Sequence, residues 1–413
     1  MAPAEHYELS WAGKKDARRE IQKKTSHTLR PDANNPESAQ HMLIEGENLE
    51  VLRVLQKSYY GKVKMIYIDP PYNTGNDSFV YPDDYSETLD EYQKRTGEKN
   101  EAGFLNKQSL WKKNSKESGQ YHSAWLSMMY PRLYLARNLL REDGMMFISI
   151  DDHEVANLKL ICDEVFGGEN FIGSVSWLKK RKGSFLSRKL VSVSEWLLVY
   201  GKTKNVKIFG GKADEEESQP LVKRTNSIGV LSFPAGQVRT KLSGGLYPKG
   251  VYGEGTSSIE LLHNFSVNEG VIEDAFALRG PFVWGQNYLD EQLKNGARLI
   301  INTDKLQVRA FKAPDPEAHK GLSTFVDGVE LGATNEDGYE ELLDILGIEG
   351  AMSYPKPVNY IKYLIDAVTH WDKNSTVIDF FAGSGTTAHA VMELNAEDGG
   401  NRQSISVQLP EKL

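Results

Sequence analysis

With 413 residues, 39% of them hydrophobic and 26% charged, the chain carries enough apolar material for two domains or one elaborated one. A single cysteine, Cys162, excludes an internal disulfide framework and any multi-cysteine zinc site, and no apolar run approaches a membrane span. The formal net charge of −8 does not advertise nucleic-acid binding, so any basic footprint must be local.

Residues 1–40 are polar, with a charged helical segment from Lys14 to Lys24 and a Pro/Asn-rich link from Pro31 to Pro36, and are expected to form an extension. The start from Met1 to Glu20 has no signal-peptide core, so a soluble cytoplasmic protein is expected. From His41 an α/β pattern begins: a short strand at 42–44, a helix over 49–56 and a buried strand at 65–68. Residues 76–118 are polar and rich in Lys, Glu, Asn and Gly, the composition of a long loop. Trp125, Met128, Met129, Leu133, Ala136, Leu139 and Leu140 recur at helical spacing, and Gly144 punctuates before a strand at 145–150. A helix over 155–166 places Cys162 among apolar neighbours as a core thiol, and strands follow at 173–178 and 195–200.

Between about 205 and 345, short apolar runs are separated by Gly, Pro, Ser and Asn, with acidic clusters at 214–217 and 336–341, which predicts a second module of β-hairpins with a helical end. The α/β pattern returns after Tyr354, with a helix over 359–370, a strand at 376–380, a Gly-rich turn, a helix over 387–394 and a last strand at 404–409.

Two stretches carry chemistry. Asp69-Pro70-Pro71-Tyr72 closes the apolar strand 65–68. An exocyclic amine on a flat base is a poor nucleophile because its lone pair is delocalised into the ring. Acceptors aimed at its two N–H bonds favour the tetrahedral nitrogen that attack on a methyl donor requires. Asp69 offers one acceptor and the rigidly held Pro70 carbonyl the other, while Tyr72 offers a face for an extruded base. The bland alternative is a strand ending in an X-Pro-Pro turn. The second stretch, Asp379-Phe380-Phe381-Ala382-Gly383-Ser384-Gly385-Thr386-Thr387, lies between a strand and a helix, where glycines admit a ligand to the backbone and the helix N-terminus favours an anion. A tight turn without a ligand is its alternative. One stretch grips an amino group and the other suits a nucleotide-like cofactor.

Together these residues resemble the DNA amino-methyltransferases that use S-adenosylmethionine. The Asp-Pro-Pro-Tyr signature precedes the Phe-x-Gly-x-Gly signature, an order that resembles the β class, a circular permutation. The segments Trp11–Lys15, Thr28–Pro31 and Asp69–Asp77 look more narrowly like the modification subunits of type III restriction–modification systems. The resemblance implies a doubly wound, mostly parallel, seven-stranded Rossmann-like sheet with one reversed strand, in which 41–204 and 346–413 form one catalytic domain and 205–345 an inserted target-recognition domain. It implies a donor site of Glu47, Asp69, Lys356, Pro357, Asp379, Phe381, Gly383, Gly385, Thr386, Thr387 and Gln408. Within it, Glu47 meets the adenosine, Lys356 the donor carboxylate, and Gln408 stands where the family usually has an acid for the ribose. Catalysis falls to Asp69, Pro70, Pro71 and Tyr72, with Asn73 and Thr74 extending that signature.

A basic stretch interrupts the acidic background: Lys179, Lys180, Arg181, Lys182, Arg188 and Lys189. Such runs are usually solvated faces, but here the family brings DNA to its pocket, so phosphate contacts are expected. The function implied is N6-adenine methylation of a base flipped from double-stranded DNA, with no metal. A homodimer and a restriction (nuclease/translocase) subunit are the expected partners, and no membrane is involved. The alternatives are an N4-cytosine enzyme, a recognition subunit without activity of its own, or a methyltransferase acting on RNA or protein glutamine.

Overall fold

The computed structural model describes residues 8–32, 39–74, 119–183, 189–212, 218–313, 318–350, 352 and 354–409. Arg188, the acidic cluster 214–217 and the expected loop at 76–118 lie outside the described residues. The chain divides into two compact units, Met1–Gly210 with Gly321–Leu413, and Gly211–Lys320.

The first unit is built on one sheet. Its strands are β1 (Met42–Glu45), β2 (Val63–Ile68), β3 (Leu140–Ile150), β4 (Phe171–Leu178), β5 (Ser194–Gly201), β6 (Phe325–Asp327), β7 (Thr376–Asp379) and β8 (Gln403–Gln408). They lie in the order β1-β8-β7-β2-β3-β5-β4-β6. All pairings are parallel except those of β5, which runs against both β3 and β4. The expectation of one reversed strand therefore matches this sheet, whereas seven strands become eight. The added strand is β6, three residues of the segment 321–345 paired with the edge of β4.

Helices cover both faces. They are α1 (Lys14–Gln22), α2 (Asn48–Tyr59), α3 (Gly119–Leu139), α4 (Val155–Phe166), α5 (Asn335–Leu346), α6 (Val358–Thr369) and α7 (Thr386–Asp398). β2 is buried at all six positions, and from Met65 to Ile68 its side chains alternate between two cores as the pleat demands, while an irregularity between Val63 and Met65 turns Val63 to the first core. Val63, Ile66 and Ile68 join a cluster with Leu52, Trp125, Leu133 and Ile161, while Met65 and Tyr67 join one with Ile361, Leu364 and Val391. Each such aliphatic side chain contributes roughly 1.5–3 kcal/mol by leaving water. Cys162 is fully buried in the first cluster, and burial pushes its thiol well above the ordinary range, as suits a packing residue.

Two segments pack differently from expectation. The N-terminal segment is docked rather than extended: Ala17 of α1 is fully buried, and the Trp11 indole N–H donates to Ser127 Oγ on α3 at 2.9 Å. The second module is also shorter than 205–345. Val206, Ile208, Leu322 and Leu331 pack on the sheet's second core, and the Phe209 N–H donates to the Ala367 carbonyl. The acid-rich helix α5, capped by a reciprocal Thr334–Asp337 box, likewise belongs to the first unit.

The second unit is a β module. Its four-stranded sheet has the order 250–252, 259–261, 276–280, 229–233, and a second sheet includes strands 298–301, 308–311, 238–240 and 265–268. A helix, Gln286–Lys294, and a core around Phe233, Phe265, Phe276 and Leu299 complete it.

Candidate active site

Asp69 and Asp379 leave adjacent strands at the same end of the sheet. β7 pairs in parallel with β2 in the register Val377↔Met65 and Ile378↔Ile66, so Asp379 stands level with Tyr67, two residues before Asp69. The two stretches singled out in the sequence thus meet at the carboxyl ends of neighbouring strands, where open α/β sheets bind ligands.

Asp69 lies in a dense polar knot. Its carboxylate accepts from the Tyr72 hydroxyl at 2.8 Å and pairs with the Lys356 ammonium at 3.0 Å. Lys356 also donates to the Tyr72 oxygen at 2.8 Å and pairs with Glu195 at 3.2 Å. Tyr72 reaches Glu195 as well, at 3.1 Å, and Lys179 closes the far side of Glu195 at 2.6 Å. The ammonium of Lys356 stands 5.1 Å from the Tyr72 ring centre and 5.6 Å from that of Trp177, within cation–π range of both.

Burial raises the Asp69 carboxyl above its ordinary range; Lys356 opposes this, and the Glu195 charge adds to it. Burial likewise lifts the Tyr72 phenol far up, so it stays protonated. For Lys356, burial favours the neutral amine, but Asp69 and Glu195 outweigh it and hold the ammonium. Glu195 is the mirror case: burial alone would raise it, and Lys356 with Lys179 brings it below the ordinary range.

The backbone around Asp69 is fixed from outside. The Trp125 indole donates to the Pro71 carbonyl at 2.7 Å. Asn73 sits in the left-handed region at φ 59° and donates to the fully buried Glu154 at 2.5 Å, which also meets His122 at 2.7 Å and Asn157 at 2.8 Å. That geometry directs the Asn73 amide NH2 to a carboxylate, and its Oδ1 is buried without a partner.

The glycine turn opens α7. Gly383 and Gly385 have φ of 53° and 79°, and Gly385 caps the helix with no side chain closing its N-terminus. A Cβ built on Gly385 meets nothing within 4 Å, so the space beside this glycine is open, whereas over Gly383 it would touch the Met352 side chain at 3.6 Å. Asp379, beneath the turn, accepts from the Phe381 N–H at 3.0 Å and the Thr387 hydroxyl at 2.6 Å. Burial drives its carboxyl up to about 7, against those two bonds and with help from the Asp69 charge. Gln408 braces the turn from β8, its amide oxygen accepting from the Gly383 N–H at 2.9 Å. Thr386 donates to the Lys356 carbonyl at 3.1 Å. Lys356 therefore touches the glycine turn with its backbone and Asp69 with its ammonium, where the sequence had suggested a donor carboxylate for that ammonium. Pro357 is the N-cap of α6.

Glu47 caps α2, accepting from the Leu49 and Glu50 N–H groups at 2.8 Å, and is held by the buried Arg132 at 2.6 Å. Of the basic stretch, Lys179 points inward to Glu195 in place of an expected phosphate contact, and Arg181 pairs with Asp337 at 2.9 Å. Lys180 is half-buried, and Lys182 and Lys189 are exposed.

Glu195 and Glu154 were not singled out in the sequence. Glu195 did leave a signal: it is an acid opening an otherwise apolar strand. Because β5 is reversed, its first residues lie at the carboxyl ends of its neighbours, with Glu195 opposite Trp177 and Trp196 opposite Ile150. Among the described residues no cluster suited to a metal ion occurs, and no helix is long and apolar enough to cross a membrane.

Comparison with known proteins decides the family. A model described as DNA methylase matches residues 63–408, a span that contains both stretches and Lys356. The chain belongs to the DNA methylase family. Among relatives of this member, the type III restriction–modification enzyme StyLTI Mod subunit of Salmonella typhimurium is 36% identical, over 98% of this chain and 59% of the relative. The EcoPI Mod subunit of Escherichia phage P1 is 34% identical, over 99% and 64% respectively. The chain thus spans less than two thirds of the length of these two relatives. The crystal structure of the M1.HpyAVI–SAM complex aligns at 12% identity with a TM-score of 0.39, covering 90% of this chain and 94% of the other.

Proposed function

We propose that this chain transfers the methyl group of S-adenosylmethionine to N6 of an adenine flipped out of double-stranded DNA, as the modification component of a restriction–modification system. The observation that carries this reading is the register of β2 with β7, which sets Asp69 beside the glycine turn, with Lys356 spanning both. The order of the two stretches supports the circularly permuted arrangement.

The residues present fit the donor. The open space over Gly385, the uncapped N-terminus of α7 and the hydroxyls of Thr386 and Thr387 suit an amino-acid moiety, with Phe381 and Asp379 beneath and Pro357 beside it. Glu47 and Gln408, at the ends of neighbouring β1 and β8, are assigned to the adenosine side. S-adenosylmethionine supplies an electrophilic methyl on a sulfonium. Asp69 accepts one N–H of the target amine and the Pro70 carbonyl the other, Pro71 keeps that turn rigid, and the Tyr72 ring backs the base. These residues hold the amine with its lone pair toward the donor, which when bound would supply the methyl and leave as a neutral thioether, and the amine proton that transfer frees would pass to water. No covalent bond to the enzyme is needed, in keeping with the inert Cys162.

The unit Gly211–Lys320 is assigned to target recognition, and Lys180, Lys182 and Lys189 to phosphates beside the pocket. A homodimer and a nuclease/translocase subunit are the partners proposed, by analogy with the Mod subunits.

The test is incubation with labelled S-adenosylmethionine and unmodified genomic DNA, followed by mass spectrometry of the nucleosides. N6-methyladenine is expected. N4-methylcytosine would move the assignment to the rival base, and donor binding without transfer would make the chain a recognition subunit.

A further inference from the structure

Glu195 has no place in the scheme above, yet its Oε2 atom faces the same two donors that occupy Asp69. Tyr72 has one hydroxyl hydrogen and two carboxylate acceptors, Asp69 at 2.8 Å and Glu195 at 3.1 Å, so it serves one of them at a time. Lys356 divides its three hydrogens among Asp69, Glu195 and the Tyr72 oxygen. Asp69 as it stands is occupied by both donors. Each Asp69 oxygen already holds one donor, so an incoming amine must share an oxygen with it or displace it, and a desolvated ammonium that is displaced cannot be left without an anion.

We propose that Glu195 is a positioning residue for methyl transfer, the alternative acceptor onto which Tyr72 and Lys356 move when the target amine takes Asp69. The inference rests on the function proposed above. Glu195 is built for such an exchange. It is 7% exposed, so water does not compete for it. Lys179 engages Oε1 at 2.6 Å, which turns Oε2 toward Tyr72 and Lys356. Its backbone is locked opposite Trp177, whose ring stacks on Tyr360 at 4.5 Å and lies beneath the Lys356 ammonium. The exchange moves hydrogen bonds only: no proton changes its heavy atom, the phenol stays neutral, and Lys356 stays charged. Tyr72 keeps its hydroxyl tethered throughout, which holds its ring steady behind the base. The arrangement also selects: a ligand with no hydrogen to donate cannot satisfy Asp69 once a donor has left it.

The experiment uses the full chain, labelled S-adenosylmethionine and unmodified genomic DNA under single-turnover conditions, with calorimetry for the donor. Glu195→Gln is expected to slow transfer about tenfold or more while donor affinity stays within about twofold. Its acid limb should move to lower pH, because the Glu195 charge is one of the groups raising Asp69; the others facing Asp69 are Lys356, Tyr72, Tyr67 and Tyr360, with Asp379 beyond them. Glu195→Asp, which keeps the charge on a shorter side chain, should recover at least about threefold over Gln; where the amide variant does not fold, Glu195→Asp itself should transfer at least about threefold more slowly than wild type with donor affinity unchanged, and wild-type transfer by it overturns the proposal. Transfer by Glu195→Gln within about threefold of wild type, a loss residing wholly in donor affinity, or an unmoved acid limb overturns the proposal. A wild-type chain that transfers no methyl overturns the function above first, and this inference with it.

Discussion

Asp379 is a carboxyl whose ionisation the fold resists, and this gives a sharp test. It is 3% exposed and its pKa rises from 3.8 to about 7. The native state therefore binds a proton more tightly than the unfolded chain, so stability falls as pH rises through that window and is fully reduced above about 7. At about 1.36 kcal/mol per pH unit, ionised Asp379 costs roughly 4 kcal/mol by pH 8.5 relative to pH 4. Asp379→Asn removes the titrating group and keeps one acceptor oxygen for the Phe381 N–H, while its NH2 faces the Thr387 hydroxyl, which can accept. Urea melts followed by tryptophan fluorescence should show the variant gaining on wild type by about 4 kcal/mol between those pH values. A pH-independent difference would show that Asp379 is not held high and that the argument from burial is wrong. If the donor binds over the glycine turn as proposed, its positive charge offsets this cost, so S-adenosylmethionine should shrink the difference at pH 8.5.

Four further outcomes are expected. Asp69→Ala should lower transfer about 10³-fold with donor affinity within a few-fold, because Glu195 still pairs Lys356; turnover within tenfold of wild type in a radiolabel assay would remove Asp69 from its role. Gly385→Val places a branched side chain at φ 79° in the open space of the turn, so donor binding by calorimetry should weaken at least about tenfold and stability fall by roughly 1–2 kcal/mol. Glu154→Ala strands the amides of Asn73 and Asn157 and should cost about 2–3 kcal/mol in urea melts, with slower transfer from a loosened Asp69 turn. Neutralising Lys182 and Lys189 together should flatten the log–log salt dependence of DNA affinity by about 2, and an unaltered slope would return both to ordinary surface.

What the sequence made legible was what local periodicity and composition encode. The helix at 155–166 and the strand at 65–68 stand out because their apolar spacing matches one repeat and their neighbours are turn formers. The placement of Asp69 just past a strand and of Gly385 at a helix start was legible because an Asp-Pro-Pro run and a Gly-x-Gly run both punctuate apolar periodicity. Partners set by tertiary packing were not. Lys179 and Lys356 read as solvated or ligand-facing cations, and only the reversed strand β5, bringing Glu195 to the pocket, turns both inward. Likewise, the short strand 325–327 has too little apolar pattern to declare itself and exists by pairing with β4.

The same reasoning explains why a site can be assembled from ends of the chain more than 300 residues apart in sequence order. In a parallel sheet every strand delivers its carboxyl end to one side, so any two neighbours share that side whatever their order along the chain. β2 and β7 are such neighbours, and the register between them, not the length of the intervening chain, sets Asp69 against the glycine turn. The reversed β5 supplies what the parallel strands cannot, a side chain from a strand's beginning at the ligand edge. A buried acid there, tied to Lys179 at one oxygen and shared between Tyr72 and Lys356 at the other, lets Asp69 pair with Lys356 and still yield to an amine. Without that second anion, displacing Lys356 from Asp69 would leave a buried ammonium unpaired.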